Sequence, residues 1–515
     1  MKTDVLIVGG GLAGLTAANE ILQNSNLTVT LLQWGSGASA YIHGFCMPVD
    51  PADSPELFLQ DTLNAGYRQS DPVLAETLCR NALELMPYFQ ELGLDLDRKG
   101  EAYSLLHALG STVPRIGGIR NNTGPVMLNC LRKRLRASNR YRELKDHRGL
   151  SLEKRGDRVT GVRCYDRERD CFYTITAGVV ILACGGFGRL FPESTNPPDL
   201  GGDGGAMAFD AGAKLTDMEF IQFEPTAAVW PPETGGKAIV TTMFYDGAVL
   251  RSADGRRFMT EYSRDGERMP KDVLSQCIYR QIRAGGGTQH GGVWFDATQV
   301  PEEKWQGVYK PYLNRYLACG IDLRKEPVEI APSAHTTCGG IRIDGHCRTG
   351  VPGLLACAEA AGGLHGANRL GGNAGLETMV FGRIAGKTAV SDFVEVEELP
   401  EGIVPNRGEN TRPQRSRLEA LLRNSLNVVR NGKEMARSLW ELDAILAELD
   451  NWEDSFERYR LRNDLLTARM ALASALERKG SVGCHIRDDA VKEMDSYRVI
   501  IQNAGGHMTV LRESI

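Results

Sequence analysis

Three consecutive glycines end the first apolar run of this chain, and they limit what it can fold into more than any other feature. Asp4-Val-Leu-Ile-Val8 leads into Gly9-Gly-Gly-Leu-Ala-Gly14, and a helical pattern follows through Leu15 to Leu22. Glycine at 9, 11 and 14 suits one backbone task. The first makes a tight turn, the second lets the chain approach a pyrophosphate, and the third lets helix and strand touch. The N–H groups at the helix start then face the phosphate charge. A second buried strand, Leu27 to Leu32, completes a βαβ unit and calls for a parallel sheet covered by helices. The next position usually carries an acid for ribose hydroxyls. Here it is Gln33, whose amide can bond a hydroxyl without charge. Ser36 and Ser39 follow in a small polar turn, read either as a second pyrophosphate contact or as an ordinary loop.

At 515 residues the chain is long enough for two to four domains. Asp53, Ser54 and Pro55 open a helix that Gly66 closes, and Asp71 and Pro72 open a second that Gly93 closes. A buried strand at Val179–Ala183 runs into Cys184-Gly-Gly-Phe-Gly188. Residues 230 to 334 mix charge, glycine and aromatics like an inserted domain, and Gly-rich sequence resumes from Thr337 to Gly386. A polar linker follows from Glu395 to Ser416. Met435, Leu439, Leu442, Leu446 and Leu449 then keep one helix face, as do Leu461, Leu465, Ala468, Leu472 and Leu476. The expected fold is α/β: a Rossmann-type cofactor domain in two parts (1–230 and 335–394), an inserted α+β capping domain (231–334), a linker (395–416), and a C-terminal helical domain with an irregular tail (417–515).

The 12 cysteines are scattered singly with no CxxC pair, which argues against an iron–sulfur cluster or zinc site in this chain and for a reducing compartment. No apolar run reaches spanning length and no signal peptide precedes the first strand, so the reading is a cytoplasmic protein without a direct membrane span and without a metal. A net charge of −5 gives nucleic acid no footing. The one basic stretch, Arg132 to Arg148, reads as a solvated helix end behind Leu128, Leu131 and Leu135.

Three further blocks narrow the reading: LACGGFGRLF with TNPPDLGGDGGAMAFDAGAKLTDMEFIQFEPT (Leu182 to Thr226), GRRFMTEYSRDGERMPKDV (Gly255 to Val273), and the block from His335 to Gly386 that contains HGANRLGGN. With the N-terminal turn they resemble the succinate dehydrogenase/fumarate reductase flavoprotein family, which includes L-aspartate oxidase. The resemblance implies FAD rather than NAD, and hydride transfer between the flavin and a carbon of a small acid, typically a dicarboxylate. It implies that Glu359 contacts the ribityl chain, that Asp203 belongs to the Gly-Asp-Gly turn, and that Asn373, Gly375 and Leu376 approach the flavin ring. His335 and Arg369 match residues that bind a substrate carboxylate, a task suited to the planar guanidinium. His43 lies near the segment where some members attach FAD, but AYIHGF is out of register, so the expectation is non-covalent FAD.

The departures fall on the substrate side. Glu224 in Gln222-Phe-Glu-Pro-Thr226 stands where the family has a substrate-binding His. Val240-Thr-Thr-Met-Phe244 lacks the Glu of a Thr-Glu pair, and Lys271 in Pro270-Lys-Asp272 replaces the proton-donating Arg. Glu224 would repel a second carboxylate unless protonated, or would hold an amine or hydroxyl. Lys271 can donate a proton if burial lowers its pKa, with Glu267 four residues earlier as its proton source. Three readings remain open. One is an FAD-dependent reductase or dehydrogenase for a small organic acid other than fumarate. Another is an L-aspartate oxidase-like enzyme. The third is a flavin protein for electron transfer with a decayed pocket, working with an iron–sulfur or other electron-transfer partner.

Overall fold

The computed structural model describes residues 1–120, 122–400, 402–492 and 496–515, so residue 401 of the expected linker and residues 493–495 of the tail lie outside the described residues. Strand β1 (Lys2–Val8) leads through the glycine turn into α1 (Leu12–Asn24), and β2 (Val29–Gln33) returns beside β1 in parallel, with Val5 opposite Val29. Val5, Leu6 and Ile7 are fully buried, as an apolar run covered on both sides should be. Helices α2 (Pro55–Ala65), α3 (Pro72–Asn81) and α4 (Leu85–Glu91) follow. The second expected helix is therefore two helices. Pro87 has no N–H for the carbonyl one turn back, so the chain breaks after Asn81 and starts again.

Helix α5 (Thr123–Leu135) and strands β3 (Tyr141–Lys145), β4 (His147–Arg155), β5 (Arg158–Asp166) and β6 (Cys171–Leu182) complete the main sheet, in the order β3-β2-β1-β6-β5-β4. β6 runs parallel to β1 and antiparallel to β5. The basic run is a helix end only in its first part: α5 closes on Arg132, Lys133 and Arg134 with Leu128, Leu131 and Leu135 buried, but the run continues past the helix and Arg148 is buried against Asp203.

After α6 (Asp203–Ala211) comes an antiparallel sheet built from β7 (Ile221–Trp230), β8 (Val249–Arg251), β9 (Val293–Asp296) and β10 (Val328–Thr337). The capping sheet thus starts at Ile221 and ends at Thr337, so both of its long strands cross into the cofactor domain. Helices α7 (Lys271–Gln281), α8 (Glu302–Gln306) and α9 (Lys310–Leu317) belong to the cap, whose core includes Phe258, Phe295, Trp305 and Tyr316. β11 (Leu354–Ala356) rejoins the main sheet beside β6, and α10 (Asn373–Ser391) lies against α1. That contact is close because Gly382 and Gly386 face α1. A Cβ on either would stand 2.7 Å from the carbonyl oxygen of Ala13 or Ala17.

The C-terminal region packs α11 (Arg412–Ser425), α12 (Gly432–Leu449) and α13 (Phe456–Glu477) around Leu442, Ile445, Leu461 and Leu465. The tail expected to be irregular is a hairpin, β12 (Tyr497–Ala504) and β13 (His507–Ser514), turning on Gly505 and Gly506, both at positive φ. Leu215 pairs with Ile501, which joins the hairpin to the cofactor domain. β13 is largely exposed and lacks a continuous apolar face, so its sequence carries little strand signal. No helix among the described residues is long and apolar enough to cross a membrane.

Buried charges seal this junction. Glu219 is fully buried and accepts from Arg478 Nε at 2.6 Å and Ser474 Oγ at 2.5 Å. Asp217 beside it has φ +57° and is 1% exposed, and neither carboxylate oxygen has a hydrogen-bond partner among the described residues. Burial, followed by the charge of Glu219, pushes Asp217 up to about 7. An unfolded Asp titrates near ~3.9. The proton bound in the folded state therefore stabilises the fold fully below that pH, and the contribution is lost as pH rises through about 7. Asp217→Asn keeps a side chain tolerated at positive φ and removes the charge. The variant should melt a few degrees above the parent at pH 8, at roughly 1 °C per kcal/mol for a chain of this length, with no gain at pH 4. Equal melting shifts at both pH values, measured by calorimetry, would rule out the charge as the cause.

Candidate active site

A cavity of about 660 Å³ runs from the glycine turn after β1 to the underside of the cap. Gly9, Gly11, Gln33, Ser36, Ser39 and Asp203 line one end, and Glu224, Lys271, His335 and Arg369 line the other.

At the first end the glycines do what their spacing requires. Gly9 has φ +125°, and a Cβ on it would run into the carbonyl of Ala183. A Cβ on Gly14 would strike the carbonyl of Gly9, so this residue sets the strand–helix contact. Ser39 Oγ accepts from Leu12 N at 2.9 Å, so Ser39 ties the polar loop to the start of α1. Gln33 donates to the carbonyl of Gly35 at 3.1 Å, while its Oε1 is a buried acceptor without a partner among the described residues. Arg132, which the sequence placed at a solvated helix end, donates from Nη2 to the carbonyl of Gly10 at 2.9 Å and braces the turn from α5. Asp203 is already engaged by Arg148 Nε at 2.8 Å and Asn463 Nδ2 at 3.1 Å.

Farther along, Glu359 accepts from Thr337 N at 3.1 Å, and burial pushes its carboxyl up to about 7, which leaves it able to donate to a hydroxyl. Gly372, Ala374 and Gly375 bring the N-terminus of α10 to the wall. Asn373 is fully buried, with Nδ2 on Thr62 Oγ1 at 3.2 Å. Leu376 turns into the core and does not line the cavity, so of this pair only Gly375 faces it. A glycine floor, a bare helix start and an unpaired acceptor on Gln33 fit the diphosphate and ribose of FAD.

At the second end Glu224 (β7), Lys271 (first residue of α7) and His335 (β10) come from the cap's two long strands and one helix, while Arg369 sits on the loop before α10. Glu224 is 3% exposed; its Oε2 is paired with Lys271 Nζ and its Oε1 accepts from Thr226 Oγ1 at 2.9 Å. Burial works against its charge, but Lys271, His335 and the hydrogen bonds outweigh it and hold the carboxyl below its usual range. Lys271 is lowered, by burial first and by Arg369, with Glu224 opposing. Burial and Lys271 depress His335 to about 3, so it is neutral at pH 7; its Nδ1 meets Thr195 Oγ1 at 2.7 Å and its Nε2 lies 3.8 Å from Glu224 Oε2. Arg369 is buried with Nη1 on the carbonyl of Leu370 at 3.3 Å, while Nε has no partner among the described residues.

Glu267 is not part of this group. Its carboxylate accepts from Arg257 Nη2 at 2.6 Å and Leu250 N at 3.0 Å, and it lies outside the cavity wall. Its four-residue spacing from Lys271 does not help because the chain turns before α7 begins, so the two share no helix face. Tyr312 and Arg315 of α9, which the sequence did not single out, line the cavity with His43, whose ring stands 5.5 Å from that of Tyr312. Their only signal was an amphipathic pattern in KPYLNRYL, which every packed helix shares.

Residues 4–374 match the family described as FAD binding domain, and residues 415–501 match fumarate reductase flavoprotein C-term. The chain is 32% identical to one subunit of the fumarate reductase (CoM/CoB) of Methanothermobacter marburgensis, across 95% of this chain and 94% of that protein. It is 31% identical to an L-aspartate oxidase of Nostoc sp., across 90% of this chain and 81% of the oxidase. A mutant of E. coli quinol fumarate reductase FrdA superposes with a TM-score of 0.90 at 24% identity, covering 100% of this chain and 97% of that one, and shows the same fold.

Two substitutions test the cofactor end. Gly11→Val should give protein that takes up no flavin, because the new side chain meets Ser39 Oγ, which stands 2.9 Å from a Cβ built there. Gln33→Ala should bind FAD roughly tenfold more weakly, the loss of about one hydrogen bond. Flavin absorbance after gel filtration and a fluorescence titration read both outcomes.

Proposed function

Because this chain belongs to the succinate dehydrogenase/fumarate reductase flavoprotein family and is an FAD-dependent oxidoreductase, we propose that it interconverts a carbon–carbon single and double bond beside the carboxylate of a small organic acid other than fumarate. The carrying observation is a buried guanidinium with an unpaired donor, Arg369, in the same chamber as the depressed ammonium of Lys271. FAD, when bound, supplies or accepts the hydride. The protein's part is to anchor the acid and move one proton.

Arg369 holds the substrate carboxylate through charge-assisted hydrogen bonds. His335, being neutral, adds a hydrogen bond without charge. Lys271 Nζ gives a proton to the substrate carbon in the reducing direction and takes it back in the oxidising one. Glu224, in contact with Lys271, holds the ammonium at the chamber, and Lys271, whose side chain is 15% exposed, regains the proton it gives up from solvent. Fixing a proton donor and an anchor in one chamber contributes rate through orientation as well as acidity. No covalent tether to FAD is expected. The M. marburgensis relative is named as one subunit of its enzyme, which supports an iron–sulfur or other electron-transfer protein as partner.

Oxidation of an amino acid is the second reading, supported by the similarity to L-aspartate oxidase. It would need Glu224 to receive an amine, and the ion pair with Lys271 already meets that charge. A decayed pocket fits poorly with a chamber that keeps an unpaired Arg369.

Lys271→Ala should retain yellow FAD and lose turnover by roughly 100-fold or more, the usual size of an acid–base contribution. For reduction Lys271 must be protonated, so the rate should fall as pH rises through a pKa below the free lysine's 10.5. Lys271→Arg should push that fall to higher pH while keeping activity. An unchanged alkaline limb in the arginine variant would remove Lys271 from the proton transfer. Acid precipitation should leave the flavin in the supernatant; flavin in the pellet would mean a covalent link.

A further inference from the structure

Anchoring by Arg369 leaves the far end of the substrate unassigned, and the charges of the inner chamber bear on it. Glu224 and Lys271 neutralise one another, His335 carries no charge, and Arg369 keeps an Nε donor without a partner among the described residues. We propose that Glu224 is a built-in carboxylate that confines the site to acids with one carboxylate and an apolar, flat tail, the 2-enoates and their saturated counterparts, and excludes four-carbon dicarboxylates. The proposal rests on the anchoring role given to Arg369.

A four-carbon diacid bound to Arg369 would bring its second carboxylate against Glu224, where the family has a cationic or neutral His. Glu224 cannot yield the space electrostatically. It is 3% exposed and ionised, and its two oxygens are bound to Lys271 and Thr226. Drawing Lys271 to the newcomer would leave Glu224 a buried charge without a partner, a strongly unfavourable state. The same engagement makes Glu224 a poor receptor for a substrate amine.

The rest of the wall points to what the tail is. Leu109, Ile239, Val240 and the Tyr312 ring line the cavity, with His43 packed against Tyr312 at 5.5 Å. Two further cations line this wall: Lys237, whose Nζ donates to the carbonyl of Glu233 at 2.9 Å, and Arg315, which lies over the Tyr312 ring at 5.3 Å with Nη1 on the carbonyl of Ala238 at 2.9 Å, its planar face extending the aromatic surface. Flat apolar groups stack on such a surface.

The test is binding to the oxidised, FAD-loaded protein, followed by calorimetry and flavin absorbance, with crotonate, cinnamate, fumarate and the longer diacid muconate as probes. Crotonate and cinnamate should each bind at least tenfold more tightly than either diacid, and cinnamate more tightly than crotonate. Glu224→His should reverse the order of crotonate and fumarate. If that variant fails to fold, the ranking on the parent protein decides by itself. A diacid that binds as tightly as crotonate, or cinnamate no tighter than crotonate, would overturn the proposal while leaving the proposed function standing. If no acid binds, and none reoxidises the dithionite-reduced protein, both fail together.

Discussion

Helix α1 must lie against the end of β1 with no side chain between them, and the two ends of the cofactor site depend on that contact. Gly14 allows it from the strand side, because any Cβ there would collide with the carbonyl of Gly9. The same helix is gripped from its other flank by α10, through Gly382 and Gly386. α1 presents its N-terminus to the diphosphate end, and α10 presents its own to the far end of the cavity. One pair of close-packed helices therefore fixes the separation of two partial positive charges. A small displacement of either helix would be felt at both ends, since interiors packed this closely do not deform continuously.

The chamber under the cap depends on a different kind of constraint. Lys271 and Glu224 are both largely removed from water, and such a pair returns little net stability after desolvation. Its consequence is orientation. Losing either partner would leave the other charged in a dry place, so the two hold each other in position. The pair also brings the depressed Lys271 next to Arg369 without the two cations meeting uncompensated. The proposed chemistry needs an acid and an anchor of the same sign within one cavity, and Glu224 supplies the opposite charge beside the acid.

Much of this was legible in the sequence because local rules dictate it. The turn at Gly9, Gly11 and Gly14 and the buried strand before it follow from steric limits that only glycine meets. Glu224, Lys271, His335 and Arg369 were reached through motif position, and the structure brings these four together. Where sequence reasoning failed, the cause was tertiary. Glu267 lies four residues from Lys271 in the chain, yet its carboxylate is drawn to Arg257 across the cap. Arg132 looked like a solvated charge, but the fold carries α5 back to the carbonyl of Gly10. Leu376 belongs to the right helix start and the wrong face of it. Tyr312 and Arg315 carry no motif at all, since they become part of the wall only when the cap is laid over the cofactor domain.

That placement has a structural cause in the two strands that cross between domains. β7 carries Gln222 and Glu224 just inside its first residues, and β10 carries His335 near its last. Gln222 Nε2 donates to Asn368 Oδ1 at 2.7 Å and to the carbonyl of Arg369 at 2.9 Å. The strand that bears Glu224 is thereby bolted to the loop that bears Arg369. α7 packs on β7 and β10, and Ser275 donates to the carbonyl of Phe223 at 3.2 Å, so Lys271 is carried by the same strands. The separation of Lys271 and Arg369 is thus set at the crossing strands. The 3-10 turn at Thr241–Asp246 and Tyr312 on α9 line the cavity from the cap side, outside this bolted frame of strands and loop.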